Sequence, residues 1–113
     1  MATLSEAFSA IAKAQEAEAI VILRQEEAAR ARGVSLQKLA AAFRKAASLS
    51  TDSVMRNRME IYAQQSDREA EAAFLQQRVH ASEARRARVQ AKTTRGRSDA
   101  LPAKRMRNGR RTA

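Results

Sequence analysis

Residues 1–84 contain no proline and a single glycine, Gly33, so almost nothing in this part of the chain interrupts an α-helix. The same stretch is rich in Ala, Glu, Gln, Arg and Leu, whose side chains lose little rotamer freedom on a helical backbone. Aromatic residues make up only 4% of the chain, so few large side chains are available for a core. We therefore predict an all-α protein with a weak core of its own.

The first helix is predicted at about residues 4–32. Thr3 or Ser5 is placed to cap its start, and Glu6 stands three residues after Thr3, as in a capping box. Gly33 follows a basic last turn, which is how many helices end.

Two further helices are predicted, at about residues 35–48 and 53–90. Ser35 is the expected N-cap of the second helix. The sequence SLSTDS at residues 48–53 separates the two, because short hydroxyl and carboxylate side chains bond to nearby backbone groups and favour turns.

The apolar residues form narrow faces on these helices. The best seam of the third helix, from Met55 to His80, is half polar, and no strict heptad persists along it, which argues against a simple coiled coil. We expect an open arrangement that needs other copies or partners to be complete. The apolar faces of the first two helices contain Leu4, Phe8, Ile11, Ile22, Leu23, Leu36, Leu39 and Phe43.

The net charge of +10 is confined to the C-terminal quarter of the chain. Residues 85–113 contain eleven basic residues and one acid, Asp99, whereas residues 1–84 contain eleven of each sign. This division predicts a helical region at 1–84 and a basic tail at 85–113. Because of Gly96, Pro102 and the density of like charge, we expect the tail to be helical at its start and then extended or disordered.

Lysine and arginine side chains neutralise phosphates, so the tail predicts electrostatic binding to a polyanion. The tail has no aromatic residue, which argues against base stacking. Anionic lipid is an equal candidate on charge alone, and a solubilising tail is the alternative role. The predicted polyanion-binding residues are Arg85, Arg86, Arg88, Lys92, Arg95, Arg97, Lys104, Arg105, Arg107, Arg110 and Arg111.

The residues needed for catalysis do not occur together. The chain has no cysteine, and His80 is its only histidine, which excludes the usual His-based triads and zinc sites. A resemblance of residues 33–43 to the opening of a helix-turn-helix fails at Lys45, where the motif needs a turn. We predict a non-enzymatic protein with no cofactor and no metal.

The longest apolar run, residues 19–23, is too short for a membrane span, so we expect a soluble protein without a signal peptide.

Three stretches resemble the internal virion proteins of short-tailed (podovirus) bacteriophages, the ejection proteins stored in the capsid core. They are EEAARARG at 26–33, SLSTDSVMRNR at 48–58 and DREAEAAFLQQRVHASEARRARVQ at 67–90. Proteins of that family begin with an Ala/Glu/Arg-rich helical segment. A bend follows, and then an S-V-x-R-like element opens a long Gln/Arg-rich helix.

The resemblance implies a role for each part of the chain. Leu4, Phe8, Ile11, Ile22 and Leu23 would face sister subunits, and Ser53, Val54 and Arg56 would set the bend that orients the long helix. The basic tail would lie on packaged double-stranded DNA. The implied partners are further copies of the chain, other virion core or portal proteins, non-specifically bound DNA and, transiently, the host membrane. The implied location is the virion interior, with the host envelope after ejection.

Two other classes of protein fit the same composition. One is a helical coiled-coil component of a secretion or export apparatus, which predicts a stable antiparallel hairpin; the half-polar seam of the third helix counts against it. The other is a small architectural nucleic-acid-binding or ribosome-associated protein, which would be cytoplasmic. No feature before Arg85 distinguishes this class from an internal virion protein.

Overall fold

Across residues 3–112, the protein is all-α and forms two helices. The computed structural model describes the backbone of residues 3–112 and the side chains of residues 3–99. Helix α1 comprises Leu4–Leu49, and helix α2 comprises Ser53–Thr112. The predicted fold class is confirmed, and the three predicted helices are replaced by two.

The predicted helix end at Gly33 is wrong, because α1 continues through this residue. The φ angle of Gly33 is not positive. Gly33 lies far from both ends of α1 and is buried beside the ring of Phe74. A single glycine inside a helix costs only about 1 kcal/mol, which packing against a second helix offsets. The predicted N-cap at Ser35 consequently falls in mid-helix.

At the N-terminus of α1 the capping box is confirmed: Thr3 N–H donates to Glu6 Oε2 and Glu6 N–H donates to Thr3 Oγ1, each at 3.2 Å.

The predicted turn in SLSTDS is confirmed between the two helices. The Val54 N–H donates to Asp52 Oδ1 at 3.0 Å, so Asp52 caps the start of α2. Ser50 N–H donates to the Ala47 carbonyl at 3.2 Å, and Arg56 Nη2 donates to the Ser50 carbonyl at 3.0 Å. Within the predicted bend element, Ser53 is therefore the first residue of α2, Val54 is an exposed first-turn residue and Arg56 reaches back over the turn.

The prediction of an extended tail is wrong, because α2 continues through Gly96 and Pro102 to Thr112. Up to Ser98, the helix is supported by contact with α1, which the tail sequence by itself does not reveal. Ser98 is buried, and its Oγ donates to the Ser5 carbonyl at 2.9 Å. These contacts hold the backbone as helix well beyond residue 90, where the third helix was predicted to end.

The chain divides into two compact units. The terminal unit contains α1 up to Leu23 and α2 from Ala81 onward, and the hairpin unit contains Arg24–His80. In the hairpin unit the helices are antiparallel, since Gly33 lies beside Phe74 while the ring of Phe43 lies 5.4 Å from that of Tyr62.

The helices of the terminal unit are antiparallel as well. Ser5 bonds to Ser98, and the Thr94 hydroxyl donates to Gln15 Oε1 at 2.9 Å, so residue numbers rise along α1 as they fall along α2. Its apolar cluster is small and is formed by Ala19, Ile22, Ala84 and Ala87, with Leu23 packed against it.

Buried positions recur every seven residues in both helices and are occupied by small side chains. In α1 they are Ala12, Ala19, Gly33, Ala40 and Ala47; in α2 they are Ala63, Ala70, Ala84, Ala91 and Ser98, with Ser66, Ala73 and Ala87 beside them. The seven-residue spacing is interrupted by half-buried Glu26 in α1 and Gln77 in α2, so the repeat is not strict, and small residues form most of it. This all-α pairing is consistent with a coiled coil.

Candidate polyanion-binding site

Five of the six basic residues of α2 between residues 81 and 99 are exposed outside the contact with α1. Between residues 81 and 99 the helix carries six basic and two acidic residues. The residues at positions 84, 87, 91 and 98 are buried, and Arg85, Arg86, Arg88, Lys92 and Arg97 are exposed between them. At 1.5 Å per residue, Arg85 and Arg97 are about 18 Å apart along the helix. The buried small residues thus fix which way the charged side chains face.

The exposed basic residues form two lines. Arg85, Arg88 and Lys92 have the spacing i, i+3 and i+7, which places them on one flank of the helix. Arg86 and Arg97 are eleven residues apart, about three turns, and lie on the other flank.

The two flanks have different electrostatic surroundings. Arg86 borders an open depression that is also lined by the carboxyl side chains of Glu18 and Glu83. Nearby carboxylates lower the positive potential that a bound anion would meet. The flank formed by Arg85, Arg88 and Lys92 continues to Asp99, seven residues after Lys92, and carries three cations against two on the other flank; we call it the basic flank.

Arg95 differs from the other predicted binding residues because it forms an ion pair with α1. Its Nη2 donates to Glu16 Oε2 at 2.7 Å, and its Nε donates to Glu16 Oε1, so the contact is bidentate. This hydrogen bond lowers the pKa of the Glu16 carboxyl below its ordinary value and raises the pKa of the Arg95 guanidinium. Arg95 thus contributes to helix pairing, and binding an anion with it would require breaking this contact.

Five predicted binding residues lie beyond the described side chains: Lys104, Arg105, Arg107, Arg110 and Arg111. Their backbone belongs to α2.

The apolar residues predicted as an assembly face are divided by the structure. Ile22 is buried and Leu23 packs beside it within the terminal unit. Phe8, Leu36 and Phe43 are half-buried, and Phe43 contacts Tyr62. Leu4, Ile11 and Leu39 are exposed. Much of this face is therefore used for pairing within the chain.

Comparison with known proteins assigns no family. The chain matches no protein-family model, and no curated protein or solved structure is significantly similar to it. Across the described residues, no three His, Asp or Glu side chains are grouped so that they could hold a metal ion. None of the helical segments that the structure describes is long and apolar enough to cross a membrane. The geometry of the helices and of their charges is thus the basis for a functional proposal.

Proposed function

We propose that the protein is a non-enzymatic helical assembly protein that binds double-stranded DNA non-specifically through the basic part of α2. The observation that carries this proposal is the basic flank: Arg85, Arg88 and Lys92 are exposed on one flank of a helix whose adjacent face is buried. Cations held along a helix can neutralise successive phosphates and release counterions. No aromatic residue follows Phe74, which favours contact with the backbone of the nucleic acid over stacking on its bases.

The surroundings of the basic flank favour DNA over anionic lipid. A helix that lies on a membrane combines basic residues with an apolar face that enters the headgroup region. Between residues 81 and 99, Val89 is the one large apolar side chain that is exposed. A single valine supplies little apolar area for insertion.

The biological setting that we propose is the interior of a phage virion, where the chain would assemble with its own copies and with other virion core or portal proteins. The support for this setting is the resemblance of residues 26–33, 48–58 and 67–90 to podovirus ejection proteins, together with the basic segment. We expect portal, tail-tube and lysis genes to lie beside the gene that encodes this chain.

A helical component of a secretion or export apparatus is the second candidate. The observation that favours it is the antiparallel helix pair of the hairpin unit, because this class predicts such a hairpin. Basal-body or export genes beside the coding gene would support this candidate and contradict the virion setting.

The test of DNA binding compares the full chain with the triple variant R85Q/R88Q/K92Q in a salt series with labelled duplex DNA. Point substitutions are preferable to truncation because residues 84–98 pack against α1. The matched control, R24Q/K38Q/K45Q, removes the same charge from exposed positions elsewhere.

The triple variant is expected to bind more weakly, and its slope of log affinity against log salt is expected to decrease by about 2 to 3, since each phosphate contact contributes about 0.9. The control is expected to keep the slope of the original chain. Equal slopes for the triple variant and the control, or binding to anionic vesicles without binding to DNA, would contradict the proposal.

A further inference from the structure

A polar depression opens in the terminal unit on the flank of α2 that carries Arg97. Its volume is about 330 Å³, and both helices contribute to its wall. The lining residues are Gln15, Val89, Gln90, Thr93, Thr94 and Arg97. Every one of them except the valine ends in a guanidinium, amide or hydroxyl group, and none of the six is a carboxylate.

Acidic side chains lie away from this depression. Residues 84–98 of α2 contain no acid, and Asp99 lies about 200° around the helix from Arg97, on the basic flank. Glu83 is about 21 Å from Arg97 along the helix, which is more than two Debye lengths at physiological salt. On α1, the carboxylate of Glu16 is already engaged in its ion pair. The potential of the Arg97 guanidinium is therefore only weakly opposed.

Thr94 holds the amide of Gln15 in the wall of the depression. Its hydroxyl donates to Gln15 Oε1 at 2.9 Å and lies equally close to the carbonyl oxygen of Gln90. The Gln15 oxygen is thereby engaged, which leaves the two N–H donors of its nitrogen for other acceptors. The Thr93 hydroxyl is fixed as well, since it donates to the Val89 carbonyl at 2.9 Å. The depression thus combines an oriented donor on α1 with a cation on α2.

We propose that this depression binds a phosphate group, and that in the DNA complex its occupant is a phosphodiester of the backbone. The DNA part of the inference rests on the proposed function. Phosphate oxygens accept hydrogen bonds, and the planar guanidinium of Arg97 can donate to two of them at once. The amide of Gln15 donates to a further oxygen from the side of α1, so the site is complete only where the two helices are paired.

The position of this site indicates how DNA approaches α2. Arg97 is twelve residues after Arg85, which places it about 120° around the helix from the basic flank. A bound phosphate there adds a fourth backbone contact, on the other flank of α2. Duplex DNA suits this arrangement, because its major groove accepts an α-helix between the two backbones.

Occupancy is measured by NMR on the full isotope-labelled chain, with inorganic phosphate and a short DNA duplex as separate probes. Both are expected to shift the side-chain signals of Gln15 and Arg97 saturably, whereas chloride at the same ionic strength is not. Shifts with phosphate but not with the duplex would overturn the DNA backbone as the source of the phosphate. No saturable shift with either probe would overturn the site.

The variant R97Q tests the cation of the site within the DNA complex. Its slope of log affinity against log salt is expected to decrease by about 0.9, the value of one phosphate contact. The matched control R78Q makes the same exchange at an exposed α2 position in the hairpin unit and is expected to keep the slope. An unchanged slope in R97Q with a reduced slope in R85Q/R88Q/K92Q would overturn this site and leave the proposed function standing. Unchanged slopes in both would contradict both.

Thr94 is a positioning residue, and its role is tested without any change of charge. T94V removes the hydroxyl and is expected to bind inorganic phosphate on the order of tenfold more weakly, the loss expected for one hydrogen bond to a charged group. Its salt slope on DNA is expected to stay the same, since Arg97 keeps its charge. T94S retains the hydroxyl and is expected to bind as the original chain does. An equal loss in T94V and T94S would assign the effect to packing and contradict the positioning role.

Discussion

The ring of Phe74 occupies the space in which the side chain of Gly33 would lie. A Cβ built on Gly33 would be 2.7 Å from Cε1 and from Cζ of that ring, closer than real Cβ atoms approach a neighbour. A larger residue at this position would have to displace the Phe74 ring, whereas the backbone conformation of Gly33 is ordinary helix. Glycine often ends a helix, but Gly33 lies where α1 and α2 approach each other closely.

Replacing Gly33 by alanine should have opposite effects in two backgrounds. In the original chain, overpacking against Phe74 costs about 1–3 kcal/mol, which over most of this range is more than the gain of about 1 kcal/mol in helix propensity, so G33A is expected to destabilise. In the F74A background the ring is absent, and the same exchange is expected to stabilise by up to about 1 kcal/mol. Urea unfolding followed by circular dichroism measures both differences. A destabilisation of equal size in both backgrounds would show that Phe74 is not the cause.

The ion pair between Glu16 and Arg95 should make stability depend on pH. Because Arg95 lowers the pKa of Glu16 in the folded chain, the pair stabilises the fold above the unfolded-state pKa of glutamate, for which the reference value is 4.5, and this contribution is lost as the pH falls through the lowered pKa. The melting temperature of R95Q is therefore expected to lie below that of the original chain at pH 7. The two melting temperatures are expected to converge at acidic pH.

NMR titration of the Glu16 carboxyl gives a direct control for this prediction. Its pKa is expected to rise towards the ordinary value in R95Q and to remain low in K92Q, a neighbouring charge removal on the exposed side. The same Glu16 pKa in all three proteins would contradict the assignment of Arg95 as the main cause.

Enlarging a buried alanine should destabilise the chain strongly. Ala63 is 0% exposed where α2 faces α1, so A63L is expected to cost about 1–3 kcal/mol or more, because the added methylenes must separate the helices or adopt strained rotamers. The control A42L makes the same change at an exposed position of α1 and is expected to be nearly neutral. The free energy of unfolding in urea is the measurement, and equal values for the two variants would argue against close packing at Ala63.

The cap at the start of α2 should depend on the side chain of Asp52. D52A removes the acceptor for the Val54 N–H and is expected to destabilise by about 1 kcal/mol. D52N retains a capping oxygen and is expected to stay within a few tenths of a kcal/mol of the original chain. Thermal unfolding compares the two, with T51A as a control at the adjacent exposed position. A loss of the same size in T51A would assign the effect to the turn as a whole.

The sequence predicts the local features of this fold well. The all-α class, the reciprocal bonds of Thr3 and Glu6 and the turn capped by Asp52 depend on neighbouring residues and on propensity, so their signals lie within a few positions of one another. Features that depend on the opposite helix were missed. The helical path of residues 91–98 depends on contacts such as that of Ser98 with Ser5, which is 93 positions away.

The candidate site was predictable in part for the same reason. The charge count identifies the basic segment, and once the buried positions are known, helical spacing places Arg85, Arg88 and Lys92 together. The separate role of Arg95 could not be predicted, because its partner Glu16 lies 79 positions earlier and no local pattern indicates the pair. The seven-residue repeat of buried small residues was not recognised over its full length, because Glu26 interrupts it in α1 and Gln77 interrupts it in α2.

The alanine-lined contact between α1 and α2 determines how the chain must be probed by mutagenesis. Scanning substitution to alanine removes side-chain atoms, and at Ala12, Ala40 or Ala63 there is nothing beyond the Cβ to remove. Such a scan would report changes at interface positions such as Ile22 and Ser98 and would show nothing at the alanines that line most of the contact. A scan that inserts a bulkier residue at each position in turn would instead trace the interface as a series of sharp losses seven residues apart.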